Sequence, residues 1–132
     1  MSTMNFVDAA LMLAVLQYIV FGTLVAKARE TYGVKAPAIT GDEQFERRYR
    51  AHANTLELLV VLVPSAYASA HYWPGWVVAL AVLVFLVGRL VYWRAYITEP
   101  STRSLGFTLS ILPIIALTLS ALAAVVMGKG AA

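Results

Sequence analysis

No cysteine occurs anywhere in this 132-residue chain. That absence excludes disulfides, a protein thiolate nucleophile and any thiolate metal site, so sulfur chemistry here has to use sulfur brought in by a ligand. Charge is scarce too, and its distribution says more than its amount. Only 13% of the residues are charged against 61% apolar, whereas soluble domains carry about 25% charged residues. Asp, Glu, Lys and Arg are missing from residues 9–26, 58–88 and 104–128, runs of 18, 31 and 25 residues. A membrane-spanning helix needs about 20 predominantly apolar residues, so the outer runs predict one span each. The middle run is interrupted by His71-Tyr72-Trp73-Pro74-Gly75-Trp76, a turn set among interfacial aromatics, and predicts two. No basic stretch of the kind that opens a secretory signal precedes residue 9, so the first run is expected to be a retained helix.

The expected architecture is all-α and integral to the membrane: a four-transmembrane-helix bundle forming one domain over residues 1–132. The spans fall at about 7–31, 42–72, 76–96 and 102–127. Asp42 is the expected N-cap of the second helix and Ser101 that of the fourth. Pro64 and Pro113 fall inside spans, where proline is tolerated. Roughly 30 residues of second helix reach about 45 Å, more than a hydrocarbon core of ~30 Å, so its first turns stand out of the membrane. Lys27, Arg29, Lys35, Arg47, Arg48 and Arg50 flank or fill the first connection, Arg94 and Arg103 the third, and no basic residue the second. By the positive-inside rule the first and third connections are expected in the cytoplasm and both termini on the opposite side. The net charge of +3 is concentrated at one membrane edge; no nucleic-acid partner and no metal site are expected.

The remaining polar residues form stripes. Arg50, Asn54 and Glu57 are spaced i, i+4, i+7 on the second helix, and Arg89, Tyr92 and Tyr96 i, i+3, i+7 on the third, so each set lies on one face. Charge at membrane depth costs a few kcal/mol or more and marks functional sites by default. Arg103 falls at the start of the fourth helix, where free N–H groups and the dipole favour an anion. With the first and third connections on one side, these groups share one depth. The set suits a small zwitterionic ligand with several carboxylates: arginines fork onto carboxylates, Glu57 accepts from an ammonium, and Asn54 pairs with a peptide group. Arg103 is the group placed to hold a bound thiol as thiolate, with Ser104 as a hydrogen-bond donor to the sulfur. Structural alternatives stand beside these readings. Arg89 has Glu57 as a candidate buried ion-pair partner, Tyr92, Trp93 and Tyr96 fit an interfacial aromatic belt, and Arg47 and Arg48 fit charge facing lipid headgroups.

The segments FERRYRAHANTLE (45–57), VGRLVYWRAY (87–96) and EPSTRSLGFTL (99–109) resemble the MAPEG superfamily, the membrane-associated proteins of eicosanoid and glutathione metabolism. The resemblance runs from Lys27 to Leu112 in matching order; beyond it the chain matches only as hydrophobic helices. It implies a homotrimer of four-helix subunits that binds glutathione as cosubstrate between neighbouring subunits. By position, Arg50, Asn54, Glu57, Tyr92 and Tyr96 would contact glutathione from one subunit, with Arg89 on the same stripe. Arg29 and His52 would reach it from the neighbour, and Arg103 matches the arginine that activates the sulfur. The implied function is a glutathione-dependent transferase or peroxidase acting on lipophilic electrophiles or lipid hydroperoxides from the bilayer, a detoxification chemistry. Alternatives in the same superfamily are a non-catalytic lipid-binding adaptor and a glutathione-dependent isomerase of the prostaglandin E synthase type. Leu58 and Glu30 replace a tyrosine and a second arginine of leukotriene C synthase, and Phe107 replaces a tyrosine of prostaglandin E synthase. The resemblance therefore implies the shared thiol chemistry rather than one eicosanoid reaction.

Overall fold

A computed structural model describes residues 2–130. Four helices account for nearly all of them: α1 (Thr3–Tyr32), α2 (Glu43–Ala70), α3 (Gly75–Thr98) and α4 (Ser104–Val126), with a 3-10 turn at Pro100–Thr102 before α4. All four are long and apolar enough to cross a membrane. Their outward faces agree with that: Leu16, Val60, Leu90 and Leu119 are each more than half exposed, a surface suited to lipid rather than water.

Local chemistry sets the helix ends. Ser2 caps α1, and Gly33, at φ 69°, stops it in the left-handed region that side chains disfavour. Asp42 caps α2, its carboxylate accepting the Phe45 N–H at 3.0 Å. Ser101 does not cap α4. Proline at the first position of the 3-10 turn suits its fixed φ, so an i to i+3 turn closes first and α4 opens only at Ser104, with Arg103 before it and no side-chain cap. The Ser101 hydroxyl instead meets the Glu99 carboxylate at 3.3 Å. α2 closes at Ala70 rather than near Tyr72, and α3 continues to Thr98 rather than Tyr96. Both intramembrane prolines lie within unbroken helices.

The helices run up and down. At one end Arg47 Nη1, on α2, donates to the Ile97 and Thr98 carbonyls that finish α3, and Arg48 lies over the Tyr32 ring that finishes α1. At the other end Tyr67 donates to Asp8 at 3.0 Å, and the Trp73 indole donates to the Ser120 carbonyl at 2.9 Å. Two apolar cores fill the bundle. One gathers Val7, Leu11, Leu59, Leu62, Val82, Phe85, Ile114 and Leu117. The second, toward the charged end, gathers Phe21, Val25, Phe45, Tyr92 and Trp93, with Phe21 and Trp93 stacked at 4.4 Å.

Glycine sets the closest approach. A Cβ on Gly106 would lie 2.3 Å from the Tyr92 backbone nitrogen, and one on Gly88 2.7 Å from the Leu109–Ser110 backbone. α3 and α4 therefore touch backbone to backbone, the packing that small residues permit in membranes. At Gly22 a Cβ would meet only the His52 ring, at 3.2 Å. Gly106→Ala should accordingly cost about 1–3 kcal/mol, the usual range for overpacking, and lower the thermal midpoint in detergent. Gly22→Ala should lower it less, and a larger effect at residue 22 would contradict the packing described.

Candidate active site

Between the two cores sits Arg89, fully buried. Its Nε donates to the Ser110 hydroxyl at 2.8 Å, and its Nη1 to Asn54 Oδ1 at 2.8 Å, with Thr55 Oγ1 at 3.4 Å. The guanidinium carbon lies 4.2 Å from the centre of the Tyr92 ring, a cation–π contact that strengthens where water is excluded. The expected alternative, an ion pair with Glu57, does not form. Among the described residues the single ion pair joins Arg47 to Glu43. Neutral acceptors from α2 and α4 hold the charge of α3 instead, each hydrogen bond to a charged group contributing about 1.5–3 kcal/mol.

The same network shapes a cleft. Asn54 of α2, Tyr92 of α3, and Arg103, Ser104, Phe107 and Thr108 at the start of α4 line a space of about 450 Å³, within the usual range for small-molecule sites. Asn54 gives its oxygen to Arg89, which leaves its amide N–H groups uncommitted. Tyr92 packs against Tyr96 at 5.5 Å and Phe107 at 6.4 Å. Arg103 Nη1 donates to the Pro100 carbonyl at 2.9 Å, which fixes the side chain at the mouth and leaves its other N–H groups open. Because α4 opens without a cap, its free N–H groups and positive dipole end add to that charge.

Arg50 and Glu57 flank Asn54 on α2 with exposed side chains. Like Arg29 and His52, they do not line the cleft. Arg29 Nη1 donates to the Ala38 carbonyl at 2.6 Å, with its guanidinium over the Phe45 ring, so it braces the first connection. His52 stacks on Tyr18 at 4.1 Å, between α1 and α2. Thr55, Ser110, Gly88, Gly106 and Thr108 shape the site without standing out in the sequence. Small and hydroxyl residues inside apolar spans were the available signal, but they are common enough there to need a fold before they can be interpreted.

Four membrane-length helices with a polar cleft at the charged end fit an integral multi-pass membrane protein. The chain belongs to the MAPEG family, whose sequence model matches residues 7–123. It is 38% identical over 110 residues to an uncharacterized protein of Synechocystis sp., a match covering 83% of this chain and 80% of that one. To microsomal glutathione S-transferase 2 of Homo sapiens it is 32% identical over 103 residues, 78% of this chain and 70% of the relative. To leukotriene C4 synthase of Cavia porcellus it is 33% identical over 92 residues, 70% of this chain and 61% of the relative.

The Arg89 network makes a quantitative demand. Ser110→Ala should destabilise by about 1–3 kcal/mol, the penalty for a buried donor left without its acceptor. In a double-mutant cycle with Arg89→Met the two changes should couple by at least about 0.5 kcal/mol. Additive losses in denaturant titrations would show that the contact carries no energy.

Proposed function

We propose that this chain is a membrane-bound, glutathione-dependent transferase that ionises glutathione and directs its sulfur at lipophilic electrophiles or lipid hydroperoxides. The observation that carries this reading is the meeting of Asn54, Tyr92, Arg103 and Ser104, from three helices, in one cleft. Glutathione has two carboxylates, an ammonium, two peptide groups and a thiol. Arg50 takes a carboxylate, Glu57 the ammonium and the Asn54 amide a peptide oxygen, while Tyr92 and Tyr96 form the aromatic wall and Arg89 holds Asn54 and Tyr92 in place. Arg29 and His52 contribute from a neighbouring subunit of a homotrimer. The polar end faces the cytoplasm, and the second substrate enters from the lipid past exposed Leu105 and Leu112.

The chemistry begins with loss of the thiol proton to solvent at the cleft mouth. Arg103 and the positive end of α4 stabilise the thiolate, and Ser104 donates a hydrogen bond to it. In conjugation the sulfur lone pair forms a carbon–sulfur bond as the electrophile's leaving group departs with the displaced electron pair. In peroxide reduction the sulfur attacks the terminal oxygen of the hydroperoxide, the O–O bond breaks, and the alkoxide takes up a proton to leave as the alcohol. The resulting sulfenic acid is reduced by a second glutathione, giving glutathione disulfide and water. Both reactions share the first step, so Arg103 serves either.

Glutathione added to the detergent-purified protein at neutral pH should produce the ultraviolet absorbance of a thiolate. That band should titrate below the ordinary thiol range of about 8.5. Arg103→Leu should abolish it at neutral pH with binding retained, and Arg50→Ala should weaken binding by roughly ten- to hundredfold, as loss of a charge-assisted contact predicts. Binding without a band in the unaltered protein would favour the adaptor reading. No binding at all would sink both.

A further inference from the structure

A second groove opens at the same end of the bundle, between α1 and α3, and shares no lining residue with the cleft. It has a volume of about 270 Å³. Its rim carries Lys27 from α1 and Arg48 from the first turns of α2, and its walls include Tyr32 and Trp93, with Leu24 and Ile97 apolar. Arg48 Nη1 donates to the Gln44 carbonyl at 2.8 Å and the guanidinium lies over the Tyr32 ring, so its charge is held in place. Lys27 is exposed and, among the described residues, pairs with no carboxylate. No acidic side chain lines the groove. Trp93 is fixed beneath by its stack on Phe21.

The vertical order of these groups is that of a phospholipid. Lys27 and Arg48 stand near the ends of α1 and α2 that meet the first connection, Trp93 is buried beneath them, and exposed Leu24 lies almost one turn further into the apolar run of α1. We infer that this groove is a binding site for the headgroup phosphate of an anionic phospholipid, with one acyl chain lying against α1 and α3. Lys27 and Arg48 bind the phosphate oxygens, the first as a mobile point charge and the second as a preset fork. Basic pockets between transmembrane helices bind anionic headgroups in this way. A bound lipid would tie α1 to α3 at the charged end and oppose their separation.

Native mass spectrometry of the purified protein with phosphatidylglycerol, phosphatidylcholine or inorganic phosphate tests the site. Phosphatidylglycerol should be retained in preference to phosphatidylcholine and raise the thermal midpoint. In Lys27→Gln/Arg48→Gln that affinity should fall roughly thirtyfold, since each basic residue at an anionic surface contributes about fivefold. Lys35→Gln/Arg94→Gln removes the same charge from the same end outside the groove and should change it little. Lys27→Gln alone alters only an exposed side chain and should give part of the effect even if the double variant does not fold. Equal losses in the control pair, equal retention of phosphatidylcholine, or full stabilisation by inorganic phosphate alone would each overturn the proposal.

Discussion

Arg89 places a formal charge in the middle of an apolar bundle, and the way that charge is accommodated organises much else. An isolated guanidinium at membrane depth is among the costlier things a helix can carry. Here Ser110, Asn54 and the face of Tyr92 surround it, drawing on three helices at one level. Two of those three, Asn54 and Tyr92, also line the cleft. The interaction that makes the buried charge tolerable therefore also fixes the orientation of two groups a ligand would meet. A ligand need not order them on arrival, and preorganisation of that kind saves part of the entropy that binding otherwise costs.

Backbone contact completes the arrangement. Gly106 lets α4 lie against Tyr92, and Gly88 lets α3 lie against Ser110, so the hydroxyl that holds Arg89 and the aromatic that covers it sit across one seam. The 3-10 turn at Pro100–Thr102 then delivers Arg103 to the mouth, where a bond to the Pro100 carbonyl steadies it. Arg47 reinforces the same corner by binding the last carbonyls of α3. The start of α4 is held by geometry from both sides.

Much of this was legible in the sequence, for identifiable reasons. Runs without charge announce spans because the bilayer forbids unpaired charge over that length. Helical spacing put Asn54 on one stripe and Arg89 with Tyr92 on another, since a period of 3.6 needs no tertiary knowledge. What Arg89 binds was not legible. Pairing it with Glu57 followed from charge, but the structure uses a hydroxyl 21 residues away and a neutral amide, and neither carries a signature until the helices are packed. Ser101 looked like a cap because it precedes an apolar run, whereas Pro100 had already committed the chain to a tighter turn. The roles of Gly88 and Gly106 depend on which helix lies opposite, which periodicity does not encode.

The neutral ring around Arg89 has a further consequence. A protein that wished only to silence this guanidinium would have set a carboxylate against it; this one gives it dipoles, which solvate a cation without cancelling it. The bundle thus keeps an open positive charge in a medium that screens poorly, with Arg103 and the start of α4 adding to it at the cleft mouth. Under the proposed function, an anion entering there would complete a neutrality that the polypeptide leaves unfinished.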